Sequence, residues 1–138
     1  MKNLLALISL LTLMSCPPQD DDLSPKNDAI EGSWQYSELF RNGVKVNVDF
    51  CDLQIFLFFN SNGNFMRETH SNENPDEACK LDSLKKGSWT NMENIYTVVT
   101  EDETNVYSVT FENNTFFYEQ EVIENGTAFK YKYVYSQF

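Results

Sequence analysis

The sequence predicts an all-β protein, a small antiparallel up-and-down β-barrel of about eight strands. Three observations carry that expectation. From Ala29 onward apolar residues alternate with polar ones, and no long window keeps a capped apolar stripe at helical spacing. Asn42-Gly43, Asn62-Gly63 and Asn125-Gly126, with Asn113-Asn114, fall between the alternating runs and supply the positive-φ residues of tight hairpins. Hairpin follows hairpin with no long crossover, which favours a barrel over a sandwich, and closure removes the exposed edges of an open sheet.

Taken in order, candidate strands run over residues 32–40, 44–48, 53–60, 64–71, 86–91, 94–100, 105–112, 115–123 and 127–136. The last alternates most clearly, with Phe129, Tyr131, Tyr133 and Tyr135 on one face and Lys130 and Lys132 on the other. Phe116, Tyr118 and Val122 similarly oppose Glu119 and Glu121. Leu53 to Phe59 is apolar on both faces, as expected of a strand covered on both sides. Ser71 to Lys86 reads as the one long connection, within which Pro75-Asp76-Glu77 could start a helical turn. Gly-Ser-Trp occurs twice, at 32–34 and 87–89: glycine allows a bend at strand entry, and tryptophan offers a large face to plug a barrel end.

The N-terminus has a different character. Lys2 precedes an apolar run from Leu4 to Leu13, the layout of a secretory signal and too short to span a bilayer. The run ends in Leu13-Met14-Ser15-Cys16, which resembles the lipobox of bacterial lipoproteins. That resemblance implies cleavage before Cys16, a diacylglycerol thioether on its sulfur and N-acylation, so that the lipid holds the protein on a membrane. It divides the chain into a signal peptide (1–15), a lipidated Cys with an acidic linker (16–28) and the β domain (29–138). Residues 17–27, PPQDDDLSPKN, are too polar to order themselves and read as an extended tether. Asp20-Asp21-Asp22 resembles the acidic signal that sends some Gram-negative lipoproteins to the cell surface. The expected location is therefore the outer membrane, facing outward.

The formal net charge is −11, and losing Lys2 with the leader makes it one unit more negative. So acidic a chain repels phosphate backbones and carries no basic patch for anionic head groups. With Cys16 assigned to the anchor, Cys51 and Cys79 remain in a compartment where disulfides persist. Joining them would stabilise the fold by about 3–4 kcal/mol in the chain-entropy account. The alternatives are two free thiols or two metal ligands, and neither cysteine has a neighbour at zinc-like spacing.

Ile30-Glu31-Gly32-Ser33-Trp34 is similar to the Gly-x-Trp opening of lipocalins. The later run resembles the small lipocalin-like domains of bacterial lipoproteins. It comprises Cys51, the Phe58–Phe65 hairpin, Cys79, Gly87-Ser88-Trp89 and the segments around Tyr96 and Phe111. The resemblance covers most of residues 29–138 and implies a non-catalytic binding domain for a small apolar or amphipathic molecule. The candidate pocket residues are Trp34, Tyr36, Phe65, Tyr118, Tyr131 and Tyr133. Against that, 11 Phe, 7 Tyr and 2 Trp can equally fill so small a barrel, leaving a structural or protein-interaction domain as the alternative.

No catalytic constellation is visible. His70 is the only histidine, is expected to be exposed at a strand end, and no nucleophile-elbow pattern accompanies it. Glu101-Asp102-Glu103 lacks the spacing of a calcium loop. The expectation is a monomer with no cofactor or metal, whose protein partner, if any, is not specified by the sequence.

Overall fold

A computed structural model describes residues 27–74 and 77–138. Cys16, the signal segment, the tether through Lys26, and Pro75 and Asp76 lie outside the described residues. Among those described, nine strands follow one another: β1 (Gly32–Arg41), β2 (Val44–Val46), β3 (Phe56–Phe59), β4 (Asn64–Ser71), β5 (Lys80–Met92), β6 (Ile95–Thr100), β7 (Thr104–Glu112), β8 (Thr115–Glu124) and β9 (Thr127–Gln137). Every pairing is antiparallel, and β1 meets β9 to close the sheet. Eight strands make the closed barrel. The short β2 pairs only with β1, along the stretch of its edge that β3 does not reach.

Turn chemistry and bulges explain the closure. Asn42 and Gly43 adopt φ of 50° and 80°, and Asn125 and Gly126 adopt 51° and 80°, the double positive-φ geometry whose twist matches paired strands. The register of β1 against β9 shifts between Tyr36 and Glu38, and the Ser37 hydroxyl there donates to the Val134 carbonyl at 3.2 Å. An extra residue at this point bends β1 around the barrel. At Gly87, in the middle of β5, a Cβ would lie 1.9 Å from the Val99 carbonyl oxygen. Only glycine lets β5 and β6 approach that closely.

Three expectations are corrected. The apolar run at 53–60 narrows to β3. Leu53 to Ile55 leave the ladder and are tied to β1 by Gln35 Nε2 donating to Leu53 O at 3.0 Å and Tyr36 N donating to Ile55 O at 2.9 Å. Outward Phe56 and Phe58 are then covered by the C-terminal Phe138 ring, at 5.4 and 6.3 Å. The long connection is shorter than expected, because β5 begins at Lys80 and pairs with Ser71. Its first half, Lys80 to Lys86, packs no core and so carries no strand-like apolar alternation. His70 is half-buried, its Nδ1–H donating to Gln54 O at 2.8 Å and its ring edge-on to Phe56.

The strand directions define two poles. At one, the chain enters through Asp28–Glu31, the turns 60–63, 93–94 and 113–114 cluster, and Phe138 ends the chain. At the other lie the turns 42–43, 101–103 and 125–126 and the loops 47–55 and 72–79. The core fills the first. Trp34 and Phe116 meet edge to face at 4.9 Å and Phe59 and Trp89 at 5.8 Å, while Phe59 and Phe65 pack tilted at 5.1 Å. Trp34 Nε1 donates to Ile30 O at 2.7 Å, so the entering chain itself caps this pole. Asp28 completes the cap by accepting from the Tyr96 hydroxyl at 2.5 Å, Asn91 Nδ2 at 2.6 Å and the Ile30 amide at 3.1 Å.

Candidate functional site

The opposite half of the barrel is hollow. A cup of about 440 Å³ opens at the second pole, within the size range of small-molecule sites. Its walls are Leu39 from β1 and Val48 and Ile55 from the 47–55 loop, with the tilted rings of Tyr36 and Tyr133 side by side at 6.3 Å. Asp52 and Thr69 add polar groups to the lining. Arg67 of β4 with Tyr118 of β8 and Tyr135 of β9 form the floor, since these three also line a void of about 50 Å³ beneath.

Local structure sets each group. Inward alternation along β4 runs Phe65, Arg67, Thr69, so a cation occupies the interior position directly above the packed core. The same alternation along β9 places Tyr135, Tyr133 and Tyr131 at successive heights. Tyr118 stacks on Tyr133 at 5.0 Å and packs against Tyr107 at 4.6 Å. The disulfide Cys51–Cys79, Cα to Cα 5.5 Å, ties the 47–55 loop to the start of β5 at the mouth. Asp49 Oδ1 accepts from the Cys51 amide at 2.9 Å, which shapes the loop carrying Val48 and Asp52.

Above Val109 and Tyr118 the pairing of β7 with β8 stops, although both strands continue toward the mouth. A slit of about 190 Å³ separates them, with Tyr107 and Tyr118 behind it.

The site is a field of hydroxyl donors around one guanidinium. Burial, reinforced by Tyr133 and the Asp52 carboxylate, pushes Tyr36 up to about 12. Burial likewise raises Tyr107, Tyr118, Tyr133 and Tyr135, so all five remain protonated across the physiological range. Arg67 Nη2 donates to Glu103 Oε1 at 3.1 Å, and Lys85 Nζ reaches the same oxygen at 3.3 Å. Asn105 first, then Lys85 and Arg67, hold the Glu103 carboxyl below the usual carboxylate range against its partial burial. Among the described residues no group of three or more His, Cys, Asp and Glu is arranged to hold a metal ion.

Of the six residues proposed as pocket walls, Tyr36, Tyr118 and Tyr133 surround the cup. Trp34 and Phe65 do not. They are 2 % and 6 % exposed in the packed half, because their strand positions fall nearer the capped pole. Tyr131 lies one step beyond the cup, its hydroxyl donating to Glu124 Oε1 at 2.6 Å beside an Arg41–Glu124 pair at 2.7 Å. Sequence reasoning missed Arg67, Asp52 and the aliphatic walls. The signal for Arg67 was a charge at an inward position two residues after Phe65; the others sit in a loop with no periodicity to read.

No curated protein matches the chain at a significant level of similarity. Residues 30–118, from the cap through the cup-floor Tyr118, match the family described as a lipocalin-like domain. That stretch holds β1 to β7 and the start of β8 of a closed antiparallel barrel, capped at one pole and hollow at the other, and the chain belongs to the lipocalin-like domain family.

Proposed function

We propose that this domain binds a small amphipathic molecule in the cup, without catalysis, and that the chain is held on the outer membrane through lipid at Cys16. Lipocalin-like domains are in general non-catalytic ligand-binding barrels. The observation that carries the reading is the cup itself, apolar in its walls and ringed by neutral tyrosine hydroxyls over one cation. Binding there needs no change in the barrel, because the opposite half is already filled and capped.

The anchor fits this arrangement. The first described residues, Asn27 and Asp28, lie at the capped pole, so a chain running from a lipidated Cys16 would reach the barrel at the end opposite the cup. Thermal denaturation with and without medium-chain amphiphiles tests the binding reading. A saturable rise in midpoint is expected, and no shift with any of them would refute it. Cys16→Ala should move the protein from the membrane fraction to the soluble one, and unchanged retention would refute the anchor.

A second reading, an interaction domain that meets a partner protein through its mouth loops, is favoured by one observation. Val44, Phe50 and Ile123 are 70 %, 70 % and 72 % exposed, and all three lie on hairpins or loops at the mouth. Removing all three apolar side chains should leave ligand binding intact and abolish only partner capture.

A further inference from the structure

We infer that the cup takes a small amphipathic acid, an apolar body ending in a single carboxylate that docks head-first on Arg67. The inference deepens the binding reading above and rests on it. The cup is polarised along its depth. Its aliphatic groups, Leu39, Val48 and Ile55, come from the upper part of β1 and from a mouth loop, whereas Arg67 is on the floor it shares with the packed half. An apolar molecule lying on that floor would cover the guanidinium donors that Glu103 does not take without giving them an acceptor, which is unfavourable. A carboxylate satisfies them.

The charge balance around Arg67 points the same way. Two cations, Arg67 and Lys85, share one oxygen of Glu103. The other acid near them, Asp102, is 3.4 Å from Lys85 and its side chain is 69 % exposed, so water screens it. Glu103 accepts one of the five N–H donors that a guanidinium carries, and a planar fork of donors suits a carboxylate. The partial offset by Glu103 leaves room for one negative charge and not for two, which selects a carboxylate over a doubly ionised phosphate. Asp52 is near enough to Tyr36 to raise its pKa, on the wall and away from the floor, and so discourages the acid from binding tail-first.

Size sets the body. At about 30 Å³ for each water-sized group, 440 Å³ holds a chain of roughly a dozen non-hydrogen atoms with little space left. Decanoate, decanol and decylamine present one tail with three heads, and calorimetric titration of the purified protein with each reads the head preference. Decanoate is expected to bind at least tenfold more tightly than decanol, with decylamine no better than decanol. Arg67→Met should erase the advantage of decanoate while keeping decanol. Glu103→Gln, which removes the competing anion, should tighten decanoate severalfold and leave decanol unchanged.

Equal affinity for decanoate and decanol in the unmodified protein would overturn the head-group assignment and leave the cup as a binding site. Failure of all three to bind would overturn both. The three-ligand comparison needs no variant, so it decides the matter even where Arg67→Met does not fold.

Discussion

The two halves of the barrel are built from the same alternation and end up with opposite properties. In the capped half, inward positions are Trp34, Phe59, Phe65, Trp89 and Phe116, which interlock across the axis and exclude water. In the hollow half they are Tyr36 and Tyr133 on the wall above a floor of Arg67, Tyr118 and Tyr135, which leaves the centre open. Part of the difference lies in the hydroxyl. A buried phenol needs a partner, and a layer of them is better placed around a wet or ligand-filled space than in a dry core. The rest lies in the strands. β7 and β8 part above Tyr118, so the upper barrel is wider and its wall less complete. Stability is thus concentrated at the pole where the chain enters, and binding capacity at the other.

The largest test of that division is Trp34→Ala against Tyr133→Ala. The first removes a buried ring from a filled core and should lower stability by about 3–5 kcal/mol. The second enlarges an existing open space and should cost well under half as much. Equal losses in denaturant titrations would break the comparison. Next is the bridge at the mouth. Replacing Cys51 and Cys79 together by Ser should cost about 3–4 kcal/mol in the chain-entropy account, and hydrogen exchange should quicken first in the 47–55 loop that walls the cup. Quickening first at the capped pole would show that the bridge serves the core instead.

Asp28 at the cap and Tyr36 in the cup should respond at opposite ends of the pH scale. At the cap, burial alone would raise the Asp28 carboxyl, but hydrogen bonds from Tyr96, Asn91 and the Ile30 amide outweigh it and hold the group below its ordinary value of 3.8. A depressed carboxyl stabilises the fold above its unfolded pKa, and that contribution is lost as pH falls through the folded value. Asp28→Asn should therefore cost about 1–2 kcal/mol at neutral pH and flatten the acid limb of the stability profile below 3.8.

In the cup the sign reverses. Tyr36 is raised from 10.0 to about 12, so its contribution is full below 10 and is lost as pH rises through that window. Tyr36→Phe should shallow the alkaline limb and leave the acid limb alone. An unchanged alkaline limb would argue against the burial of that hydroxyl.

The smallest effect is at the β5–β6 turn of the capped pole, where Glu93 holds a φ of 55° that favours glycine. Glu93→Gly should gain at most about 1 kcal/mol, read as a small rise in midpoint with ligand affinity unchanged.

Much of this was legible because strands announce themselves by period and turns by residue type. Asn42-Gly43 and Asn125-Gly126 fixed two hairpins, and the alternation in residues 127–136 fixed the inward face of β9. The first half of β5 was not legible, since Lys80 to Lys86 pairs by backbone alone and its side chains bury little. The pocket was only half legible. In the sequence, Tyr36, Tyr118 and Tyr133 read no differently from Trp34, Phe65 and Tyr131, all aromatics at strand positions. Nothing in their spacing says at what height around a tilted barrel each one sits.

By itself, then, the sequence determined an all-β chain of sequential hairpins, the residues facing inward, the acidic surface and a cysteine pair available for bonding. Those properties depend on neighbours along the chain, where the two-residue period and the turn residues act. Only the tertiary structure decided which inward side chains meet and which do not. That depends on bulges such as the one at Ser37, on the close approach at Gly87 and on the parting of β7 from β8. Each shifts strands relative to one another, and small shifts in register and tilt decide whether a ring of aromatics closes into a core or opens into a cup.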